Sequence, residues 1–405
     1  MSLKVVNRTL PSGLKVVVEE NPYASSVAYG YFVKTGARDE IKNESGVSHF
    51  LEHMLFKGND EYSALELSKA MARLGVQANA WTSEEATVYY GSVIPESGPA
   101  YLKLLTSMMR PSLNQEDFDM EKKVILEEIA LYEDRPSFCL FERAQGEFFD
   151  GHGVGNSVLG SKESIQALSR EMMLDYFNRR YSAANITFVA CGEVEAERVI
   201  DEVGELTANW PSLSVGREYP DFTHKPKNQT FHKANLNQSH LTLFTPGCSN
   251  TDERRYALQV LTDIVGDSQG SKIYWKLVHS GLCEEAYIAS DERDRIGVVY
   301  AYLATAASKL EEARSKLYEI LKEPLEFSTD ELLCAKAKLG ARILLSGEVP
   351  LSRAMGLGID MLTRGEVIPL PVIREKVERV GRQEIEELLH EITLRDWSEF
   401  RLVAN

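Results

Sequence analysis

The 405-residue chain is predicted to be an α+β protein of two homologous domains, each a mainly antiparallel sheet covered on one side by helices. Three observations carry that expectation. The length exceeds what a single hydrophobic core usually serves. Segments of alternating, strand-like pattern are interleaved with segments of helical period throughout. The order of these segments also recurs after an aperiodic, proline-rich stretch, Trp210 to Asn228.

The elements follow in order. The opening reads as strands, with Leu14 to Glu19 and Ser26 to Lys34 alternating and Pro11, Ser12 and Gly13 marking a turn between two of them. Helical period begins near Val47 and returns over Ala64 to Leu74, whereas Val76 to Val93, rich in Thr, Val and Tyr, reads as β. Helices are expected at Ala100 to Met109, Asp117 to Glu133, Arg143 to Phe148 and Ser169 to Tyr181, then a strand at Asn185 to Cys191. After the break, Gln238 to Pro246 is a strand and Tyr256 to Val265 a helix, as Ser26 to Lys34 is followed by the helix at Val47. Helices at Ser308 to Leu321 and Thr329 to Leu345 complete the parallel. We therefore place an N-terminal domain at 1–215, a linker at 216–228 and a C-terminal domain at 229–405.

Composition excludes several classes. Apolar residues at 43% and charged residues at 26% are enough to build a core, so a disordered polymer is excluded. A formal charge of −16 disfavours binding nucleic acid through its phosphates. No run approaches the roughly 18 apolar residues that cross a bilayer, so no membrane association is expected. The first residues run into a patterned strand without the features of a secretory signal, which points to a cytoplasmic address. Five scattered cysteines, none in C-x-x-C spacing, suggest neither a disulfide framework nor a thiolate metal site.

The segment Ser45 to Gly58 reads SGVSHFLEHMLFKG. Val47, Phe50, Leu51 and Met54 form one apolar helical stripe, and His49, Glu52, His53 and Phe56 form the opposite one. Residues four apart on a helix have β-carbons about 5–6 Å apart, so His49 and His53 can aim both imidazoles at one point. Zinc held by two neutral imidazoles needs a third protein ligand and keeps a position for water, whose pKa falls to about 7. Glu52, one residue before His53, can accept that water's proton. This is the H-x-x-E-H arrangement, the inversion of H-E-x-x-H.

The third ligand should come from another helix, and Asp117 to Asp134 is the candidate. Glu121 and Glu128 are seven apart and share a face with Val124 and Leu131, whereas Glu127 lies about 100° away and faces solvent. Glu128 is the better ligand. Glu121 is placed to hold a ligand or a water from behind.

Together these stretches resemble the inverted-zincin metallopeptidases, the M16 family that includes pitrilysin, insulin-degrading enzyme and the mitochondrial processing peptidases. The matches are HFLEH at 49–53, EKKVILEE at 121–128, NAWTSEEATVYY at 79–90, and LGSKESI at 159–165 followed by YSAAN and CGEV. Thinner agreement continues in QSHLTLFTPG and SRAMGLGIDMLTRGE. The resemblance implies one Zn2+ per chain bound by His49, His53 and Glu128, with Glu52 as general base. It implies a zinc endopeptidase acting on extended peptides or unfolded segments, with Asn79 and Ala80 on the strand that pairs with the peptide substrate. It also implies that chains of this length associate, as a homodimer or as a heterodimer with a related chain. The alternative is a non-catalytic scaffold or assembly subunit of the same fold.

One departure stands out. Many members carry an arginine and a tyrosine seven residues apart in the second domain, which help hold substrate or the developing oxyanion. Leu277 and Glu284 stand at those positions here, and the nearest tyrosine is Tyr287, with Lys272 and His279 as further candidates to substitute. His152, between glycines, reads as a turn residue, and His224, His232, His240, His279 and His390 read as structural.

Overall fold

The computed structural model describes residues 3–267, 270–322 and 326–405. The chain divides into two compact units, and their boundaries differ from the contiguous domains read above. The crossing at Tyr219/Pro220 lies inside the expected linker, yet residues 131–151 belong to the second unit and 346–367 to the first.

The N-terminal half contains strands β1 (Lys4–Thr9), β2 (Lys15–Glu20) and β3 (Val27–Val33), then helices α1 (Val47–Met54) and α2 (Ala64–Leu74). The hairpin β4 (Gln77–Thr82) and β5 (Thr87–Val93) precedes α3 (Gly98–Met108), α4 (Gln115–Glu133) and α5 (Pro136–Phe148). Helices α6 (Lys162–Ala167) and α7 (Arg170–Arg180), strand β6 (Ile186–Gly192) and helix α8 (Ala196–Leu206) end this half. The C-terminal half begins with β7 (Asn228–Lys233), β8 (Ser239–Pro246), α9 (Arg255–Gly266), β9 (Glu285–Arg293) and β10 (Ile296–Thr305). It continues through α10 (Leu310–Lys322), α11 (Thr329–Ser346), α12 (Pro350–Thr363), α13 (Leu370–Arg379) and α14 (Arg382–Leu394) to β11 (Ser398–Ala404).

The first sheet has the order β1-β2-β6-β3-β5-β4, antiparallel except for β2 with β6. The second has the order β7-β11-β8-β10-β9, antiparallel except for β7 with β11. Apart from β1 the two topologies match strand for strand. The α+β class and the paired domains are as expected, and the helices expected on one face of each sheet are present. In the first unit that layer includes α3, where Thr106 Oγ1 meets Tyr31 OH at 2.7 Å. In the second, α9, α10 and α14 bury Leu261, Leu317 and Leu388 with the sheet residues Leu243, Val299 and Ala301.

The opposite faces are covered too, each by one helix taken from the other half of the sequence. Helix α12 packs Ala354, Leu357 and Met361 on Phe32, Val88 and Val189 of the first sheet. Helix α5 sets Phe141 against Phe244 and Tyr300 of the second, with ring centroids 5.4 and 5.1 Å apart. Among the described residues no helix is long and apolar enough to cross a membrane.

A buried ion pair fixes α12 on its sheet, Arg353 Nε to Glu19 Oε2 at 2.8 Å. Removing one partner of such a pair leaves a charge stranded in the interior. Arg353→Ala is therefore expected to lower unfolding free energy by about 3–5 kcal/mol, measured by chemical denaturation. The double replacement Glu19→Leu/Arg353→Met should recover most of that loss, and equal destabilisation in both variants would contradict this account.

Candidate metal centre

Helix α1 begins where its first N–H groups find a carboxylate. Gly46 takes a left-handed conformation, φ 89°, which a side chain would resist, and so turns the chain into the helix. Glu40 accepts from Gly46 N and Ser48 N, each at 2.8 Å, satisfying donors that a helix start leaves orphaned. Ser48 Oγ meets Tyr176 OH at 2.7 Å, and that phenol meets Thr35 Oγ1 at 2.9 Å. The apolar stripe Val47, Phe50, Leu51 and Met54 is fully buried. His49, Glu52 and His53 remain on the other face, with His49 buried and the other two half-buried.

Helix α4 is brought alongside by the stack of Phe118 on Phe50, ring centroids 4.7 Å apart and 15° from parallel. Its inward stripe is Phe118, Glu121, Ile125 and Ile129. Val124 and Leu131, read as sharing the inner face with the glutamates, are exposed instead, because the aromatic stack rotates α4 toward Phe118. Glu127 is exposed, and Glu128 lies on the border.

The result is one cluster of three donors. Glu128 Oε2 stands 3.7 Å from His49 Nε2 and 3.4 Å from His53 Nε2. Donor atoms of the three residues all lie within 4.8 Å of one another, and they form the single such group found among the described residues. Zinc holds N and O ligands at about 2.0–2.2 Å, which sets tetrahedral ligand atoms about 3.3–3.6 Å apart. The donor set and its spacing fit that ion.

The two imidazoles are tuned in opposite directions. Burial, followed by the neighbouring His53, pushes the His49 imidazole down to about 3, so it is neutral and its lone pair is available. His53 is held above its ordinary value: burial works against its charge, but Glu121, Glu128 and Glu52 outweigh it. Glu121 Oε1 meets His53 Nδ1 at 2.8 Å, orienting the ring so that Nε2 faces Glu128. Lys57 pairs with the other oxygen of Glu121. Burial alone would raise the Glu121 carboxyl, yet its hydrogen bonds to His53 and Lys57 hold it below the usual range. Glu52 is raised, by burial first, against the opposing hydrogen bond from Thr82. Thr82 Oγ1 donates to Glu52 Oε2 at 2.6 Å.

Strand β4, beside α1, is the free edge of its sheet. Asn79 is exposed there, and its Oδ1 accepts from Ala80 N at 2.9 Å. Residue types and spacing did not single out Lys57, one turn beyond His53, nor Glu40 and Thr82. Lys57 and Thr82 carry no signal beyond membership of the stretches Ser45 to Gly58 and Asn79 to Tyr90, and Glu40 lies outside both.

Family models match both halves of the chain: residues 15–162 fit insulinase (peptidase family M16), and residues 167–339 fit the M16 inactive domain. The chain belongs to peptidase family M16. This M16 protein is similar to the zinc protease YmxG of Bacillus subtilis, itself uncharacterised, with 28% identity over 396 residues and 96% of each chain covered. It is similar to the zinc protease SCO5738 of Streptomyces coelicolor at 32% over 275 residues, 66% of this chain and 60% of that one. Among solved structures, a protease from Helicobacter pylori superposes with a TM-score of 0.90 at 21% identity, over 99% of this chain and 100% of that one. A peptidase M16 inactive domain from Pseudomonas fluorescens gives 0.91 at 15%, over 100% and 99%. At those identities the likeness is one of fold.

The residues at and near the expected arginine and tyrosine positions make contacts within the second unit. Leu277 is a core residue, Glu284 accepts from Gln238, and Lys272 pairs with Glu331 at 2.9 Å. His279 packs on Trp275 with centroids 4.6 Å apart, and Tyr287 packs on Tyr302 at 5.4 Å. His152 Nδ1 accepts from Val154 N at 3.3 Å, and His240 Nδ1 meets Tyr302 OH at 2.8 Å.

Two outcomes are expected. Replacing His49 or Glu128 by Ala should lower bound zinc in elemental analysis, and an unchanged content would exclude the residue as a ligand. Burial raises the Glu40 carboxyl from 4.5 to about 7, against the hydrogen bonds from Ser48 and Gly46. Its stabilising share is complete below pH 4.5 and is lost as pH rises through about 7. In metal-free protein, wild type should lose denaturant resistance across that window relative to Glu40→Gln, whereas parallel pH curves would refute the assignment.

Proposed function

We propose that this chain is a zinc endopeptidase that hydrolyses peptide bonds in extended peptides or unfolded segments, with Glu52 as its general base. The observation that carries the reading is the convergence of His49, His53 and Glu128 at zinc-ligand spacing, with the Glu52 carboxylate on the same helix face. When bound, zinc supplies Lewis acidity that polarises a carbonyl and lowers the pKa of water. The residues supply the rest. His49 presents a neutral nitrogen, and Glu121 fixes the His53 ring so that its Nε2 faces Glu128. Glu52 takes a proton from the attacking water and passes it to the departing amine, a role favoured by burial that raises its proton affinity. The free edge of β4 around Asn79 and Ala80 offers main-chain groups that align an extended substrate largely independently of its side chains.

The chain is proposed to act as a homodimer, or as a heterodimer with a related chain that supplies the missing arginine and tyrosine. The rival reading, a non-catalytic scaffold, draws on one observation: Leu277 and Glu284 are committed to the core and to Gln238. The intact zinc-type cluster favours the peptidase. Glu52→Gln should retain zinc while cleavage of a quenched peptide falls by about two to four orders of magnitude. Chelation should abolish wild-type cleavage. A scaffold would cleave nothing with or without chelator, and full activity in Glu52→Gln would remove Glu52 from the mechanism.

A further inference from the structure

The turn that follows β4 is unusually constrained. Ser83 N donates to Ala86 O at 2.8 Å, and Ser83 Oγ accepts from Glu85 N and Ala86 N at 3.2 and 3.1 Å. A second segment then clamps it: Ala37 N donates to Ser83 O at 3.2 Å, Arg38 N to Glu84 O at 2.8 Å, and Thr87 Oγ1 to Thr35 O at 3.0 Å. A Cβ on Gly36 would stand 2.2 Å from Ser83 O, so this approach requires a glycine. Thr82 is the strand residue next to that turn, and its hydroxyl reaches Glu52 Oε2 at 2.6 Å.

A glutamate has three rotatable bonds, and the helix that carries Glu52 does not by itself choose among their settings. We propose that Thr82 is a positioning residue for Glu52: its hydroxyl occupies Oε2 and leaves the other carboxylate oxygen as the one that receives the proton. The inference rests on the reading of Glu52 as a base. It adds that the base takes its orientation from the sheet edge offered to the peptide, since Thr82 lies two residues from Ala80 on β4. Peptide register and base orientation are thereby referred to the same clamped backbone.

The test uses zinc-loaded full-length protein, a quenched peptide, and the variants Thr82→Val, Thr82→Ser and Glu52→Gln. Thr82→Val keeps the branched shape and loses the donor. It should lower kcat by about 10- to 100-fold, the worth of one hydrogen bond to a charged group, with KM and zinc content unchanged. Thr82→Ser should recover most of the activity. A crystal structure of Thr82→Val should show the Glu52 carboxylate turned away from its wild-type position, a readout independent of turnover. Wild-type kcat in Thr82→Val, a loss confined to KM, a Thr82→Ser variant no better than Thr82→Val, or an unmoved Glu52 carboxylate would each overturn the proposal. If Glu52→Gln is inactive while Thr82→Val is unimpaired, only the positioning role falls. An active Glu52→Gln overturns the base reading and this inference with it.

Discussion

The carboxylate of Glu40 decides where α1 starts, and the centre depends on that start. Eight residues make a helix about 12 Å long, far below the length at which a helix holds itself together in water. Its stability must come from both ends of the problem: orphan N–H groups satisfied at the start, and an apolar stripe buried along one side. Glu40 supplies the first through Gly46 and Ser48, and Val47, Phe50, Leu51 and Met54 supply the second. With the start and one face determined, rotation about the helix axis is determined too. His49, Glu52 and His53 have only one direction left to face.

Charge then asks for a cation. Glu52, Glu121 and Glu128 gather around two imidazoles, and Lys57 pairs with just one of the three carboxylates. An uncompensated cluster of this kind is costly in partly buried surroundings. A divalent ion held by His49, His53 and Glu128, as proposed, would offset the excess and use side-chain atoms that already converge. The same arrangement explains the division of labour between the two glutamates of α4. Glu121, buried and tied to Lys57 and His53, orients; Glu128, half-buried, stands within ligand distance of both imidazoles.

How much of this was legible in the sequence follows the range over which each signal acts. The stripe of α1, the extent of α2 and the strand of β3 rest on local period, and local period was enough. The stretch Val76 to Val93 reads as one β segment because its turn, Ser83 to Ala86, has no glycine, proline or asparagine to announce it; the turn is closed by Ser83 on Glu85 and Ala86 and reinforced by the Ala37 and Arg38 N–H groups. Local period shows helix α5 only from Arg143, although Pro136 at its first turn is a start signal. The exchange of α5 and α12 was invisible for a deeper reason. Amphipathicity says which side of a helix is buried, and it carries no information on which sheet does the burying. The same blindness misjudged Val124 and Leu131, whose exposure depends on the Phe50 and Phe118 stack.

The two units make a natural control for the centre. In each, the strand corresponding to β3 leads into a helix that packs near the edge strand, α1 by β4 and α9 by β9. In the first unit the helix offers imidazoles, and α4 answers with carboxylates. In the second, α9 offers Asp263, and Arg342 of α11 answers with a guanidinium. An aspartate met by arginine is compensated within the protein itself and leaves no open set of lone pairs. Imidazoles met by glutamates leave negative charge and aligned donors together. One scaffold therefore reaches electrostatic closure in two ways, and among the described residues the first unit alone groups its His and Glu side chains at metal-ligand spacing.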